Sequence, residues 1–471
     1  MSDLGLLIDF GSTFTKVMAV DLSRGAVLGR AQAPTTVETN IVEGYRNALS
    51  QVTIAGRRLS GADIAGARRL ASSSAAGGLG IVAVGLVPEL TLEAARKAAL
   101  GAGAKLIGSF GHELDERAIA EIGNSACDLV LLAGGVDGGN KKGILHNARK
   151  LAGSTIAAPV ILAGNRFASE EARQILEAAG KQVHVSENVL PALDRLSVES
   201  ARAAIREVFI SRIVKAKGFL EAQDIVGTEF VPTPRATLQA ASVLAQGTRG
   251  EAGLGPLVVV EIGGATINVH SIGEAANPEL NAVKRGIPEP HEKRTVEGDL
   301  GIRINASTIL ETLGSDHVRG FLPTAMADGE ISGRIDSYTA CHATLPATGE
   351  DLAFDVALAS AAADVALDRH AGRLSQVWTG GERPVNVCEG KDLSLVGTMI
   401  GTGGIFAHNR NAPEILRNLV SSRRTPGSLR PVSPRLLCDT GYTMYGVGLL
   451  AGESPELAFR LARHQFLEAR D

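Results

Sequence analysis

Paired cysteines are missing from this chain. Its 471 residues hold four, Cys127, Cys341, Cys388 and Cys438, all isolated and without a C-x-x-C pair. A disulfide framework is therefore not expected, and a zinc site would lack paired thiolates. Aromatic residues make up only 4%, too few for a platform that stacks single-stranded bases. An excess of one charge is missing as well. Lys plus Arg is 47 against 51 for Asp plus Glu, a formal net charge of −4, which argues against a broad nucleic-acid surface. Long apolar runs are absent too. The longest uncharged stretch, Leu70 to Pro88, is filled with Ser, Gly and Ala. It reads as one buried strand with flanking loops, not as a membrane span. The opening Met-Ser-Asp-Leu-Gly has no basic n-region, so no secretory signal is expected and the chain is placed in the cytoplasm.

What is present is ordinary globular material, 45% apolar and 21% charged, enough for roughly two to four domains at about 150 residues each. Glycine is abundant, with 55 copies, some of them expected at tight turns beside a ligand. Leu4 to Asp9 is an apolar run ending in an acid. Gly11-Ser12-Thr13 follows, and a second apolar run, Lys16 to Asp21, returns after it. Two strands joined by a short turn read as a hairpin. The layout recurs downstream as Pro256 to Glu261, Gly263-Gly264-Ala265-Thr266 and Ile267 to Ile272, which points to an internally duplicated fold. Between the copies, Asp128 to Gly135, Pro159 to Asn165 and Gln182 to Ser186 read as buried strands. The helical patterns Thr91 to Leu100 and Ala168 to Ala179 alternate with them, the signature of a parallel sheet covered by helices. Ser197 to Gln223 reads as one long amphipathic helix. From about Lys284 onward the chain reads as mostly helical, notably over Asp351 to Leu367.

Chemistry concentrates at the two turns. Small residues let backbone N–H groups approach phosphate oxygens, and the hydroxyls of Ser12 and Thr13 add donors. A carboxylate at the strand end, Asp9, can hold Mg²⁺ through water, and Lys16 can neutralise phosphate charge. Glu261-x-Gly263-Gly264-x-Thr266 repeats the arrangement. Two such hairpins facing each other across a cleft would clamp a nucleoside triphosphate. A third cluster, Gly401-Thr402-Gly403-Gly404, follows an apolar strand and permits close approach to a flat ring or sugar.

These three segments resemble the two phosphate motifs and the adenosine motif of the actin/Hsp70/sugar-kinase ATPase superfamily. More narrowly, the chain resembles the glutamate mutase accessory family called MutL or GlmL, which is unrelated to the mismatch-repair protein sharing the first name. The matching strings are Ser72 to Leu79, Leu131 to Asn140, Ala163-Gly-Asn165, Thr295 to Arg303, Glu389 to Leu393 and the Gly401 cluster. The resemblance spans residue 4 to about 452. It implies a two-lobed actin-like ATPase fold, built from duplicated RNase H-like domains, with an inserted parallel α/β region in the first lobe. The expected segments are 1–70 for the first lobe, 71–195 for the insertion, 196–250 for connecting helices and 251–471 for the second lobe with a C-terminal hinge helix. It also implies ATP and Mg²⁺ as cofactors and a coenzyme B12-dependent mutase as partner. The chain would act as an ATP-driven reactivating chaperone. Nucleic acid and membrane are not expected as partners.

Two residues depart from the family pattern. Glu261 stands where the second phosphate motif usually begins with Asp, moving the carboxylate by about 1 Å, a displacement of the kind that costs about 100-fold in rate. Asn268 stands where an aspartate is frequent, and an amide is no general base. Both changes weaken the expectation of hydrolysis more than that of binding. A nucleotide-gated scaffold without hydrolysis is therefore one alternative, and a small-molecule kinase of the same superfamily is another. His270 and His408 read as structural, and Cys341-His342 lacks a third ligand. The Arg423–Arg424 loop reads as solvated. Asp299 and Arg303 border the expected cleft, and Asp439 is expected at the hinge.

Overall fold

The computed structural model describes residues 3–36, 39–74, 79–102, 104–213, 218–273, 277–298, 300–342, 344–378, 384–420, 426–463 and 465–468. By internal contacts the chain divides into two compact units. One comprises Met1–Ala76, Ala216–Lys284 and Arg294–Asp471; the other comprises Gly77–Lys215 and Arg285–Lys293.

In the first unit, Leu4–Phe10 is buried throughout, as the apolar run Leu4 to Ile8 requires of a central strand covered on both faces. It pairs antiparallel with Phe14–Asp21, which pairs in turn with Ala26–Pro34. On its other side Arg68–Ser73 and then Val231–Pro232 run parallel. A second sheet repeats the plan. Leu257–Ile262 is central, with antiparallel Ile267–Ile272 and then Glu292–Glu297 on one side. Thr398–Thr402 and Arg435–Asp439 run parallel on the other, and Phe466–Glu468 adds an antiparallel edge. Numbered by chain order within each sheet, the first five strands lie 3-2-1-4-5 in both. The two acid-bearing hairpins thus open two copies of one topology, the duplicated actin-like arrangement.

Two helices, Thr233–Gln246 and Met444–Ala451, share one core with both sheets. That core holds Leu7 and Met18 of the first sheet, Leu257 and Val259 of the second, and Leu244 and Leu449 of the helices. Their backbones meet at Gly448, where a Cβ would stand 1.8 Å from the Ala236 carbonyl oxygen. Only glycine fits such a crossing.

The second unit holds five parallel strands: Gly80–Val84, Lys105–Phe110, Leu129–Leu132, Val160–Leu162 and Val183–Val185. They lie in the order 2-1-3-4-5. Helices Glu93–Gly101, Lys142–Ala152 and Arg166–Ala178 alternate with them, as a parallel sheet demands. Glu289 sits here between two buried lysines, with Oε1 2.5 Å from Lys97 Nζ and Oε2 3.1 Å from Lys293 Nζ. Burial would raise its carboxyl, but Lys293 and Lys97 outweigh burial and hold it below the ordinary 4.5. An unfolded glutamate therefore takes up its proton first. The stabilisation is whole above pH 4.5 and is lost as pH falls through the depressed folded value. Glu289→Ala leaves the two ammonium groups without their shared carboxylate and should cost about 3–5 kcal/mol. Equilibrium denaturation at pH 7 checks this, and an unchanged midpoint would remove the cluster from the stability of this unit.

Three expectations are corrected. Ser197 to Gln223 is not one helix but two, Glu199–Ile213 and Phe219–Val226. Gly218 precedes the second with φ 80°, and a Cβ there would stand 2.0 Å from Asn40 Oδ1. Leu70 to Pro88 is not one strand: Arg68–Ser73 belongs to a sheet of the first unit and Gly80–Val84 to that of the second. The section after Lys284 does contain the helix Gly349–His370, started by a Thr348–Asp351 capping box. It also supplies the strands Arg373–Val377, Val385–Glu389 and Arg435–Asp439, beside Thr398–Thr402, the apolar strand expected before the Gly401 cluster. These five-residue strands are outweighed in the sequence by the Ala-rich helix.

Candidate functional site

Asp9 lies near the end of the first central strand and is 1% exposed. Register places Lys16 opposite it in the hairpin and Ser72 beside it in the parallel neighbour. Both reach it: Lys16 Nζ is 2.9 Å from Oδ2, and Ser72 Oγ donates to Oδ1 at 3.0 Å. Thr233 Oγ1 adds a third bond to Oδ1 at 2.7 Å. Burial pulls the Lys16 ammonium down, but the Asp9 carboxylate and Tyr442 together hold it above the ordinary 10.5. Its Nζ also lies 4.4 Å from the centre of the Tyr442 ring.

Glu261 occupies the equivalent place in the second sheet and is 8% exposed. Asn268 stands opposite it and Thr402 beside it. Thr237 Oγ1 donates to Oε1 at 3.2 Å, Asn268 Nδ2 donates to Oε2 at 3.2 Å, and His270 Nε2 is 3.4 Å from the same Oε2. Thr233 and Thr237 are one turn apart on a single helix. That helix therefore hydrogen-bonds both carboxylates, one from each half of the duplication.

The two turns share one closure: Gly11 N–H donates to the Phe14 carbonyl at 3.2 Å, and Gly263 N–H to that of Thr266 at 2.9 Å. A Cβ on Gly11 would stand 2.5 Å from the Phe14 oxygen, so the turn needs glycine. A Cβ on Gly264 would stand 3.4 Å from Thr13 Oγ1, an ordinary contact distance, so the two turns lie side by side. Ser12, Thr13, Gly263, Gly264 and Thr266 are half-buried, between closed strands and solvent. The segment after Gly301 braces the second turn: Ile302 and Arg303 N–H donate to the Gly263 and Gly264 carbonyls, and Asn305 Nδ2 donates to Ala265 O at 2.7 Å.

The third cluster is less open than the sequence led us to expect. Gly401, Thr402 and Gly403 are buried. A Cβ on Gly401 would stand 2.3 Å from the Phe406 ring, and one on Gly403, at φ 116°, 2.1 Å from Ile262 O. Thr402 Oγ1 donates to Asp439 Oδ2 at 2.9 Å. Gly404 is exposed, with no atom within 4 Å of its Cβ position, and forms the open rim.

Other candidates fall differently. The Arg303 guanidinium is engaged elsewhere: it bonds Asp355 Oδ2 at 2.6 Å and lies 4.2 Å over the Tyr338 ring. His270, read as structural, touches Glu261. His408 lies on the short helix Gly404–His408, its Nε2 3.4 Å from Gln32 of the first sheet. Asp299 and the Arg423–Arg424 pair lie outside the described residues. Sequence reasoning passed over Ser72, Thr233, Thr237 and Arg294. The Thr233–Thr237 spacing of four was the readable signal, since it sets two hydroxyls on one helix face.

Among the described residues no group of three His, Cys, Asp or Glu side chains converges on one point, and no helix is long and apolar enough to cross a membrane. Comparison with known proteins finds a match to the family described as MutL protein over residues 5–466. Protein MutL of Clostridium tetanomorphum is 42% identical over 465 residues, covering 98% of both chains. Among solved structures, the (R)-2-hydroxyglutaryl-CoA dehydratase component A of Acidaminococcus fermentans aligns over 97% of this chain and 99% of its own, at 11% identity and a TM-score of 0.30. A xylulose kinase from Lactobacillus acidophilus aligns over 99% and 92%, at 8% identity and a TM-score of 0.32. With its full length matched both to the family and to a relative of 42% identity, the chain belongs to the MutL protein family.

Proposed function

We propose that this protein is an ATP-binding accessory factor that serves a coenzyme B12-dependent mutase of the glutamate mutase type. Nucleotide-driven closure of its two lobes would be coupled to exchange of the mutase's cofactor or subunits. The observation that carries the reading is the pair of buried carboxylates, Asp9 and Glu261, at equivalent places in a duplicated fold and bonded by one helix. The two turns supply Gly11, Ser12, Thr13, Lys16, Gly263, Gly264 and Thr266 to the phosphates. Of Gly401, Thr402, Gly403 and Gly404, the exposed Gly404 would border the adenosine, and the three buried residues would shape the turn that presents it. The donor set suits Mg²⁺ better than a metal caged by protein alone, since the Asp9 carboxylate beside the first turn, with Oδ2 3.6 Å from the Gly11 Cβ position, would be its one protein ligand and magnesium keeps several of its waters. When bound, Mg²⁺ neutralises phosphate charge. The division into 1–70, 71–195, 196–250 and 251–471 belongs to the same proposal, as does action in the cytoplasm.

A nucleotide-gated scaffold without hydrolysis is the second reading. It is favoured because the oxygens of Glu261, like those of Asp9, already have protein partners. Calorimetric titration of Mg-ATP, followed by phosphate release with and without glutamate mutase, separates the two. Release stimulated by the mutase supports the first, and binding without release supports the second. No binding of Mg-ATP would overturn both.

A further inference from the structure

The two halves of the fold neutralise their carboxylates differently. Across each hairpin, the residue in register with the carboxylate is Lys16 for Asp9 and Asn268 for Glu261. In the first half a cation makes the contact directly, at 2.9 Å. In the second an amide does, and its other end meets a cation. Asn268 Nδ2 donates to Glu261 Oε2 at 3.2 Å, while Asn268 Oδ1 accepts from Arg294 Nη2 at 2.7 Å. Both Asn268 and Arg294 are 4% exposed. We propose that Arg294 is a positioning residue for Glu261, acting through Asn268, and that an amide at 268 is what allows a buried glutamate to stand in this place.

The neighbouring groups leave this task to Arg294. Thr237 and Asn268 are neutral donors. Burial depresses His270 below its ordinary value, against the opposing pull of Glu261, so the ring is neutral at pH 7. Its Nδ1 is buried without a hydrogen-bond partner, which fits a proton on Nε2 directed at Glu261. Tyr442, whose charge would also act on Glu261, is held protonated by burial. Of these groups Arg294 is the cation. Burial pulls its guanidinium down to about 10, with Glu261 opposing, so it stays charged at neutral pH.

An amide is the one side-chain group of this size that donates to a carboxylate at one end and accepts from a guanidinium at the other. An aspartate at 268 would pair with Arg294 equally well but would set two carboxylate oxygens 3.2 Å apart, where both cannot remain ionised. Asn268 is thus the bridge that this glutamate needs, where sequence reasoning read only the absence of a general base.

The functional half of this inference rests on Glu261 belonging to the nucleotide site, and the structural half does not. Thermal unfolding of nucleotide-free protein tests the structural half. Asn268→Asp should lower the midpoint by several degrees. In the Glu261→Gln background the same change should cost little, because amide and acid have then traded places. An equal loss in both backgrounds overturns the inference. Calorimetric Mg-ATP titration tests the functional half. Arg294→Met should weaken affinity about tenfold or more, and Arg294→Lys should restore it to within a few-fold. Wild-type affinity in Arg294→Met also overturns the inference. If the wild type binds no Mg-ATP, the nucleotide reading fails, and the unfolding comparison still decides this one.

Discussion

Asp9→Ala is expected to abolish Mg²⁺-dependent nucleotide binding and to lower the stability of the first unit even without nucleotide. The carboxylate accepts from Lys16, Ser72 and Thr233, and all of these donors lose their acceptor together. Lys16 would be left beside Tyr442 with no anion at its ammonium. Breaking one partner of a buried ion pair costs about 3–5 kcal/mol. Loss of the proposed Mg²⁺ carboxylate should weaken Mg-ATP by about 100-fold or more. Asp9→Asn separates the two effects. It keeps the shape and an acceptor oxygen for Ser72 and Thr233, so denaturation should show a smaller stability loss than in Asp9→Ala. The Mg²⁺ dependence should vanish equally. Calorimetry with and without Mg²⁺ reads the first effect, and unchanged affinity in Asp9→Ala would remove Asp9 from the site.

The sequence displayed this carboxylate plainly, because the hairpin that carries it is local. Leu4 to Asp9 and Lys16 to Asp21 pair across a short turn, and period-two strands with glycine between them need no distant partner to be read. The second hairpin was legible for the same reason, and the pair made the duplication visible. What joins the halves was not legible. Thr233 lies 224 positions from Asp9, and, within the second half, Arg294 lies 26 from Asn268. A threonine in a helix offers no sign of which distant carboxylate it will meet. Gly401 and Gly403 show the opposite failure. Clustered glycines suggested an open loop, yet two of them are demanded by close packing against Phe406 and the Ile262 carbonyl. A glycine in sequence marks a close approach without saying whether ligand or protein makes it. Of the strands after Lys284 only the apolar one before Gly401 was read; the others were hidden because short strands carry little periodicity beside a helix of 22 residues.

Asp439→Ala should destabilise the seam between the halves while leaving the Mg²⁺ dependence of nucleotide binding in place. Asp439 ends a parallel strand of the second sheet and is fully buried. It accepts from Thr402 Oγ1 at 2.9 Å, from Thr443 N–H and Oγ1, and from Met444 N–H at 3.0 Å. Those N–H groups open the helix Met444–Ala451, which packs in one core with Leu7 and Met18 of the first sheet. One carboxylate therefore caps that helix and holds the Gly401–Gly404 turn through Thr402. Burial pushes its carboxyl above the ordinary 3.8, and the Thr443, Met444 and Thr402 donors only partly offset this. An unfolded Asp439 then ionises first, so its ionisation subtracts stability as pH rises from 3.8 through the folded value. That sign is opposite to the one at Glu289. Truncation to Ala leaves several buried donors unmet and should cost about 3 kcal/mol or more at pH 7. Asp439→Asn should cost less and should erase this pH dependence, since the amide does not titrate. Mg-ATP affinity should fall about tenfold in Asp439→Ala through the loosened turn, with its response to Mg²⁺ retained. Wild-type stability in this variant would show that the helix start is held without Asp439. Loss of the Mg²⁺ response would place Asp439 with Asp9 in the metal's surroundings instead of at the seam.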